Sequence, residues 1–217
     1  MARQARSELT RQKIITAAVD LFSVHGYPAT GLGDIIARAE MTKGALYYHF
    51  DSKESLAEAI IGDGGTAMLT TFRTIAESSS PALENTIHGL FVVADFTRSD
   101  QVAQIGMQLL RTFSGINAAA TRVYTSWLDE LTEQLTQAAE EGDLQENLDV
   151  VSAAEVILGS MLGAEALSRA TRTGTDLRER VARTWDLLLP AIVSPESLDY
   201  FREFLARESL RRAKAAG

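Results

Sequence analysis

Nowhere in this chain do apolar and polar residues alternate for long enough to make a strand, whereas apolar residues spaced by three and four recur. From Ser7 to His25, Ile14, Ile15, Ala18, Leu21 and Phe22 fall on one stripe, with Arg11, Lys13 and Asp20 on other faces, the pattern of an amphipathic helix. The spacing predicts an all-α fold. Gly26 ends the first helix, and Tyr27 and Pro28 form a connection, because the residue before a proline avoids the helical region. A second short helix is expected from Leu32 to Ala39. A third follows from Thr42 to His49 after a turn at Glu40 and Met41, and Asp51 or Ser52 caps a fourth. Three helices in such a short span, the last two joined by a tight turn, give a helix-turn-helix layout. Beyond Ser55 the helices lengthen, with expected spans of 55–77, 82–97, 100–114, 117–141, 149–172, 175–193 and 196–214, punctuated by serine, glycine and proline.

A chain of 217 residues accommodates a small domain fused to a larger one. Its 46% hydrophobic and 23% charged content is that of a globular protein rather than a disordered one. There is no cysteine, which excludes disulfides, thiolate metal sites and a cysteine nucleophile. The opening Met1 to Thr10 is polar, and no stretch holds the roughly 18 uninterrupted apolar residues of a membrane span. Neither a signal peptide nor a membrane association is expected, and the expected location is the cytoplasm. The net charge is −8 but unevenly spread: residues 1–54 hold 7 Lys and Arg against 6 Asp and Glu, leaving 14 against 23 in the remainder. A polyanionic partner must therefore meet the first quarter of the chain.

That quarter contains "TKGALYYHFDSKESL", residues 42–56. Thr42 is placed to cap the third helix, and Gly44 in its first turn lets another backbone approach closely. Leu46 and Phe50 fall where they can pack, which leaves Lys43, Tyr47, Tyr48 and His49 outside, groups suited to phosphates, sugars and base edges. Lys53 adds a cation at the next helix start, where free amides favour phosphate. A lone aromatic at helical spacing is more often core than contact. What sets Lys43, Tyr47, His49 and Lys53 apart is their joint occurrence with a capped, glycine-opened helix.

The run "RQKIITAAVDLFSVHGYPATGLGDIIARAEMTKGALYYHFDSKESL" closely resembles the DNA-binding domain of TetR family transcriptional regulators, over about the first 56 residues. The resemblance implies that the third helix enters the major groove and that the tyrosine and histidine of "LYYHF" and the lysine of "SKE" hold phosphates. Matching motif positions makes Thr42, Lys43, Gly44, Tyr47, Tyr48, His49 and Lys53 the DNA-facing set. It further implies a division into residues 1–56, the helix-turn-helix domain, and 57–217, a helical ligand-binding and dimerisation domain. One departure is visible: Gly31 stands three before Asp34 where the family usually has a serine or threonine cap, so either Gly31 or Thr30 caps the second helix.

Two later segments suit a dimer interface, "VVSAAEVILGSMLGAEALSRA" and "DLRERVARTWDLLLPAIV". Gly159, Ser160, Gly163 and Ala164 permit close helix approach, while Val156, Ile157, Met161 and Leu162 supply apolar surface. Burial inside one subunit accounts for the same pattern, but symmetric reading of two half-sites requires a homodimer. In "GINAAATRVYTSWLDELTEQL", Trp127 follows Val123 and Tyr124 and precedes Leu128 and Leu131, so that its indole can lie inward. Such a ring suits a small amphipathic ligand, and it also suits core packing, the more common fate of any one tryptophan. The opening residues, the "TKGALYYHF" run and a mid-helix tryptophan together resemble the γ-butyrolactone autoregulator receptors, a TetR subgroup of actinobacteria. That resemblance implies a butyrolactone or butenolide effector against Trp127. Helical phase adds Phe91, Met107, Leu110, Phe113, Val123, Leu131 and Met161 as candidate wall residues. Another apolar effector, a drug or a fatty acyl metabolite, fits the same architecture.

Catalysis is not expected. His25, His49 and His88 form no His-x-x-x-His pair, there is no glycine-rich phosphate loop or Gly-x-Ser-x-Gly turn, and Glu140 and Glu141 lie beside a surface turn. No cofactor or metal is expected either. An all-helical adaptor is the other alternative, and it leaves the phosphate-facing set without a purpose. The expected mechanism is a dimeric repressor on a palindromic double-stranded operator, released by a small effector.

Overall fold

The computed structural model describes residues 2–78, 80–113, 115, 117–172 and 174–211. Among them are ten helices: α1 (Ala2–His25), α2 (Leu32–Arg38), α3 (Lys43–His49), α4 (Lys53–Ala76), α5 (Ala82–Ser99), α6 (Gln101–Thr112), α7 (Ala118–Glu140), α8 (Val150–Arg172), α9 (Leu177–Ile192) and α10 (Leu198–Leu210). The described residues contain no strand, only an isolated antiparallel bridge between Leu144 and Val193. The fold is all α. The expected helical residues 114 and 212–214 lie outside the described residues.

Two compact units divide the chain. One runs to Ala67 and takes in Asp100–Val123, and the other holds Met68–Ser99 and the chain from Tyr124 onward. Residue 56 falls inside α4, and both α4 and α7 contribute residues to each unit.

In the first unit α1 starts at Ala2, earlier than Ser7, because the opening polar residues are good helix formers with no breaker among them. Its buried stripe of Ile14, Ile15, Ala18 and Phe22 receives α2 and α3, which bury Ile35 and Leu46 completely. Gly26 ends α1 in the left-handed region, at φ 77°. Thr30 does not cap α2: its hydroxyl donates to the Gly26 carbonyl at 2.9 Å. The cap is Gly31, whose amide donates to Asp34 Oδ2 at 3.0 Å. Glu40 holds φ 55° between α2 and α3, and the next amide, of Met41, donates back to the Ile36 carbonyl at 3.2 Å. Ser52 rather than Asp51 caps α4, since Ser52 and Ser55 exchange amide-to-hydroxyl bonds of 3.1 Å in both directions.

Helix α6, capped by Asp100, packs on α1. It also meets α4 at a pair of glycines. A Cβ at Gly106 would stand 3.0 Å from the Ile60 carbonyl oxygen, and one at Gly64 would stand 3.0 Å from that of Val102, so two backbones touch where side chains normally separate them.

In the second unit α9 packs against α5, α8 and α10, and buries Val181, Trp185 and Leu189. A charged cluster ties three of these helices together. Arg178 on α9 donates to Asp95 on α5 at 2.7 Å and to the Glu208 carbonyl on α10 at 2.6 Å, with its guanidinium 4.6 Å from the Phe91 ring centre. His88 Nδ1 lies 2.9 Å from Glu208 Oε1. Burial alone pushes the Glu208 carboxyl up, but the His88 contact and the charges of His88, Arg211 and Arg178 together hold it below its ordinary value. Helix α8 is apolar enough to cross a bilayer by length and composition, and most of it is left uncovered by the rest of the described residues. Alongside it an open groove of about 700 Å³ carries Asp129, Glu133, Glu140 and Glu155.

The glycine contact predicts opposite effects at two positions of one type. Gly106→Ala should cost about 1–3 kcal/mol in urea unfolding, because only backbone opposes the new methyl. Gly62→Ala, in α4 with open space around it, should gain up to about 1 kcal/mol through helix propensity.

Candidate nucleic-acid interface

The start of α3 is built for close approach. Thr42, extended at φ −84° and ψ 155°, accepts the Ala45 amide on its hydroxyl at 3.2 Å and so caps the start of the helix. Among the described residues, nothing beyond the helix's own backbone and the flanking residues lies within 4 Å of a Cβ placed on Gly44. Leu46 and Phe50 are buried and fix which face turns out. On the outer face Tyr48 is 75% exposed and Tyr47 43% exposed. Lys43 is exposed with its ammonium 5.7 Å from the Tyr47 ring centre, and Tyr48 meets the half-buried His49 edge-on with centroids 5.0 Å apart. Two phenols, a cation and an imidazole thus share one short helix whose inner side chains are already used.

Lys53 is placed differently from the others. It is half-buried, and its Nζ donates to the carbonyls of Tyr27 and Thr30, each at 3.0 Å, while lying 4.4 Å from the Tyr27 ring centre. The Tyr27 hydroxyl donates to Glu54 Oε1 at 3.3 Å. Burial, then the Glu54 charge and hydrogen bond, push the Tyr27 phenol up to about 12. Nothing in the local spacing of the sequence signals these contacts, because they join residues more than twenty positions apart.

The eight candidate ligand residues fall into both units. Met107, Leu110, Phe113 and Val123 belong to the first, and Phe91, Trp127, Leu131 and Met161 to the second. Trp127 is 7% exposed and stacks edge-on with Phe72 at 5.4 Å, a partner that helical phase did not single out. One turn on, Glu130 is buried and paired with Arg73 at 2.5 Å. Phe91 lies beneath Arg178, Leu131 is fully buried, Met161 is half-buried, and Phe113 packs edge-on against Tyr27. Trp185, to which local spacing assigns no role, is wholly buried, and its indole N–H has no hydrogen-bond partner among the described residues.

A family model described as bacterial regulatory proteins, tetR family, matches residues 14–60, and one described as tetracyclin repressor-like, C-terminal domain, matches residues 80–194. The chain belongs to the TetR family. The A-factor receptor protein of Streptomyces griseus is 32% identical over 195 residues, covering 90% of this chain and 68% of its own length. A crystal structure of a γ-butyrolactone receptor, an ArpA-like protein, superposes with a TM-score of 0.77 at 29% identity, over 95% of this chain and 100% of that one. The TetR family protein CprB of Streptomyces coelicolor, solved in complex with its biological operator sequence, gives a TM-score of 0.77 at 28% identity with the same coverage. This chain is a TetR-type transcriptional regulator related to γ-butyrolactone receptors, and these similarities are to regulatory proteins rather than to enzymes.

The raised phenol of Tyr27 predicts an alkaline effect. A group whose folded pKa exceeds its unfolded value contributes stability that is complete below the unfolded value, about 10, and disappears as pH rises through the folded one. Urea unfolding should therefore show wild-type stability falling between pH 10 and about 12, with a smaller fall in Tyr27→Phe, which has no phenol to ionise.

Proposed function

We propose that this regulator is a homodimeric repressor that reads a palindromic double-stranded operator with α3 and leaves it on binding a small amphipathic effector of the γ-butyrolactone or butenolide class. The observation that carries the DNA half is the exposed set of Lys43, Gly44, Tyr47 and Tyr48 around the capped start of α3. In this reading Thr42 sets the amides, Gly44 admits the DNA backbone, and Lys43, Tyr47, Tyr48, His49 and Lys53 meet phosphates and base edges. That CprB, alike over nearly the whole chain, was solved in complex with an operator supports an operator as the partner.

The dimer reading rests on α8 and α9. Val156 and Leu167 on α8 are more than half exposed, Leu187 on α9 is 78% exposed, and Gly159 and Gly163 have open space above them. Ile157 and Ala164 are already buried within the chain, so the face offered to a second copy is Val156, Gly159, Gly163 and Leu167. An apolar helix left mostly uncovered is what a two-fold interface requires, and reading a palindrome calls for two α3 helices on half-sites about 34–36 Å apart or a modest departure from this. The effector reading rests on kinship with the A-factor receptor and the γ-butyrolactone receptor, and on a buried tryptophan at the position their resemblance singles out. Release follows only from a difference in effector affinity between the operator-bound and free forms.

Selecting bound fragments from genomic DNA, then titrating the selected duplex complex with a panel of lactones, fatty acyl metabolites and drugs, tests the whole reading. Operator release by a lactone supports it. Release by another compound class alone overturns the choice of effector, and failure to enrich any palindrome overturns the DNA assignment. Leu187→Asp combined with Val156→Asp should shift sedimentation from dimer to monomer. Trp127→Phe should melt within about 1 kcal/mol of wild type yet need at least about tenfold more lactone for release. A mutant that melts lower but responds normally returns Trp127 to the core.

A further inference from the structure

Three parts of the first unit meet at Tyr27. Phe22 of α1 packs edge-on against it with centroids 5.3 Å apart, and Phe113, the C-cap residue of α6, does so at 5.2 Å. From α4, Lys53 lays its ammonium 4.4 Å from the ring centre and bonds the carbonyls of Tyr27 and Thr30. The second of these carbonyls immediately precedes Gly31, the cap of α2. Two of the three ammonium N–H donors are thereby committed to the turn that launches α2. A lysine serving only as a point charge for phosphate gains nothing from lying half-buried on an aromatic face between two carbonyls.

We propose that Lys53 is a positioning residue: by holding the α1–α2 turn against Tyr27 it sets the placement of α2 and α3, over and above any phosphate it meets with its remaining donor. This rests on the DNA-binding reading of α3. The two roles differ in how they depend on salt. A phosphate contact adds to the slope of log affinity against log salt, and its contribution fades as salt rises towards about 1 M. A misplaced α3 costs affinity at every salt concentration, whatever the charge.

The full-length protein is titrated with the selected palindromic duplex across a salt series, as wild type, Lys53→Met, Lys53→Arg and Tyr27→Leu. Positioning predicts that Lys53→Arg keeps the wild-type slope, since its charge is retained, yet loses about tenfold in affinity, because a broad planar head does not replace the compact ammonium between two carbonyls. Tyr27→Leu, which changes no charge, should lose a similar factor at unchanged slope. Lys53→Met should lose about 1.8 in slope, about 0.9 for each of the two protomers, and keep a deficit when extrapolated to 1 M salt. Full recovery by Lys53→Arg, or no deficit for Lys53→Met at 1 M, overturns the proposal and leaves Lys53 as a phosphate ligand alone.

A DNA-free measurement separates failure of this proposal from failure of the DNA reading. Amide hydrogen exchange over residues 26–42 should speed up in Lys53→Met relative to amides in the middle of α4, and Tyr27→Phe, which keeps the ring, should stay close to wild type. Unchanged exchange in Lys53→Met overturns the positioning role even if every duplex binds poorly. Faster exchange supports it even if no palindrome is found.

Discussion

Seven residues are too few to hold a helix in water alone, and both α2 and α3 have seven. Each persists because one side chain, Ile35 or Leu46, is removed completely from solvent against the stripe of α1, and because an end is capped. Burying such a side chain is worth about 1.5–3 kcal/mol, more than the propensity of a short helix supplies. The outward aim of Tyr47, Tyr48 and Lys43 follows from that anchoring. The face that reads DNA in the proposed function is the reverse side of a hydrophobic contact, so the recognition surface is only as well placed as Ile14, Ile15, Ala18 and Phe22 allow.

Periodicity was enough to read that anchoring. The α1 stripe, the Thr42 cap and the split between inward Leu46 and outward Tyr47 and Tyr48 all repeat within a few residues, so local spacing records them. Motif resemblance added the family. What spacing does not record is whatever closes over long separations. Lys53 reads as a free cation at a helix start until Tyr27 and Thr30 are brought beneath it. Helical phase finds Trp127 but not Phe72, which comes from another helix, and it gives no sign that Glu130 is buried with Arg73. Short-range alternatives were decided by single hydrogen bonds: Ser52 over Asp51 at α4, and Gly31 over Thr30 at α2.

The second unit joins its helices by a different means. Arg178, Asp95, Glu208 and His88 link α5, α9 and α10 in a part-buried cluster where Asp95 Oδ1 and the Arg178 Nε remain unpaired among the described residues. Partly satisfied charges of this kind contribute little net stability, but they are costly to break one partner at a time. They therefore favour one arrangement of the three helices over near alternatives. The depressed Glu208 carboxyl supplies stability above the ordinary glutamate value, and that stability is lost as pH falls through the lower folded value.

The crossing of α4 and α6 also limits how the sequence can drift. At most helix contacts an intruding methyl is absorbed by a neighbour choosing another rotamer, but Gly64 and Gly106 face carbonyl oxygens and Cα atoms, which have no rotamers to choose. Neither position can be relieved by a compensating change in the opposing side chain, since there is none. Related chains that depart from glycine at one of these two places must separate the helices along their whole crossing, so interhelical distance and residue identity should vary together across them.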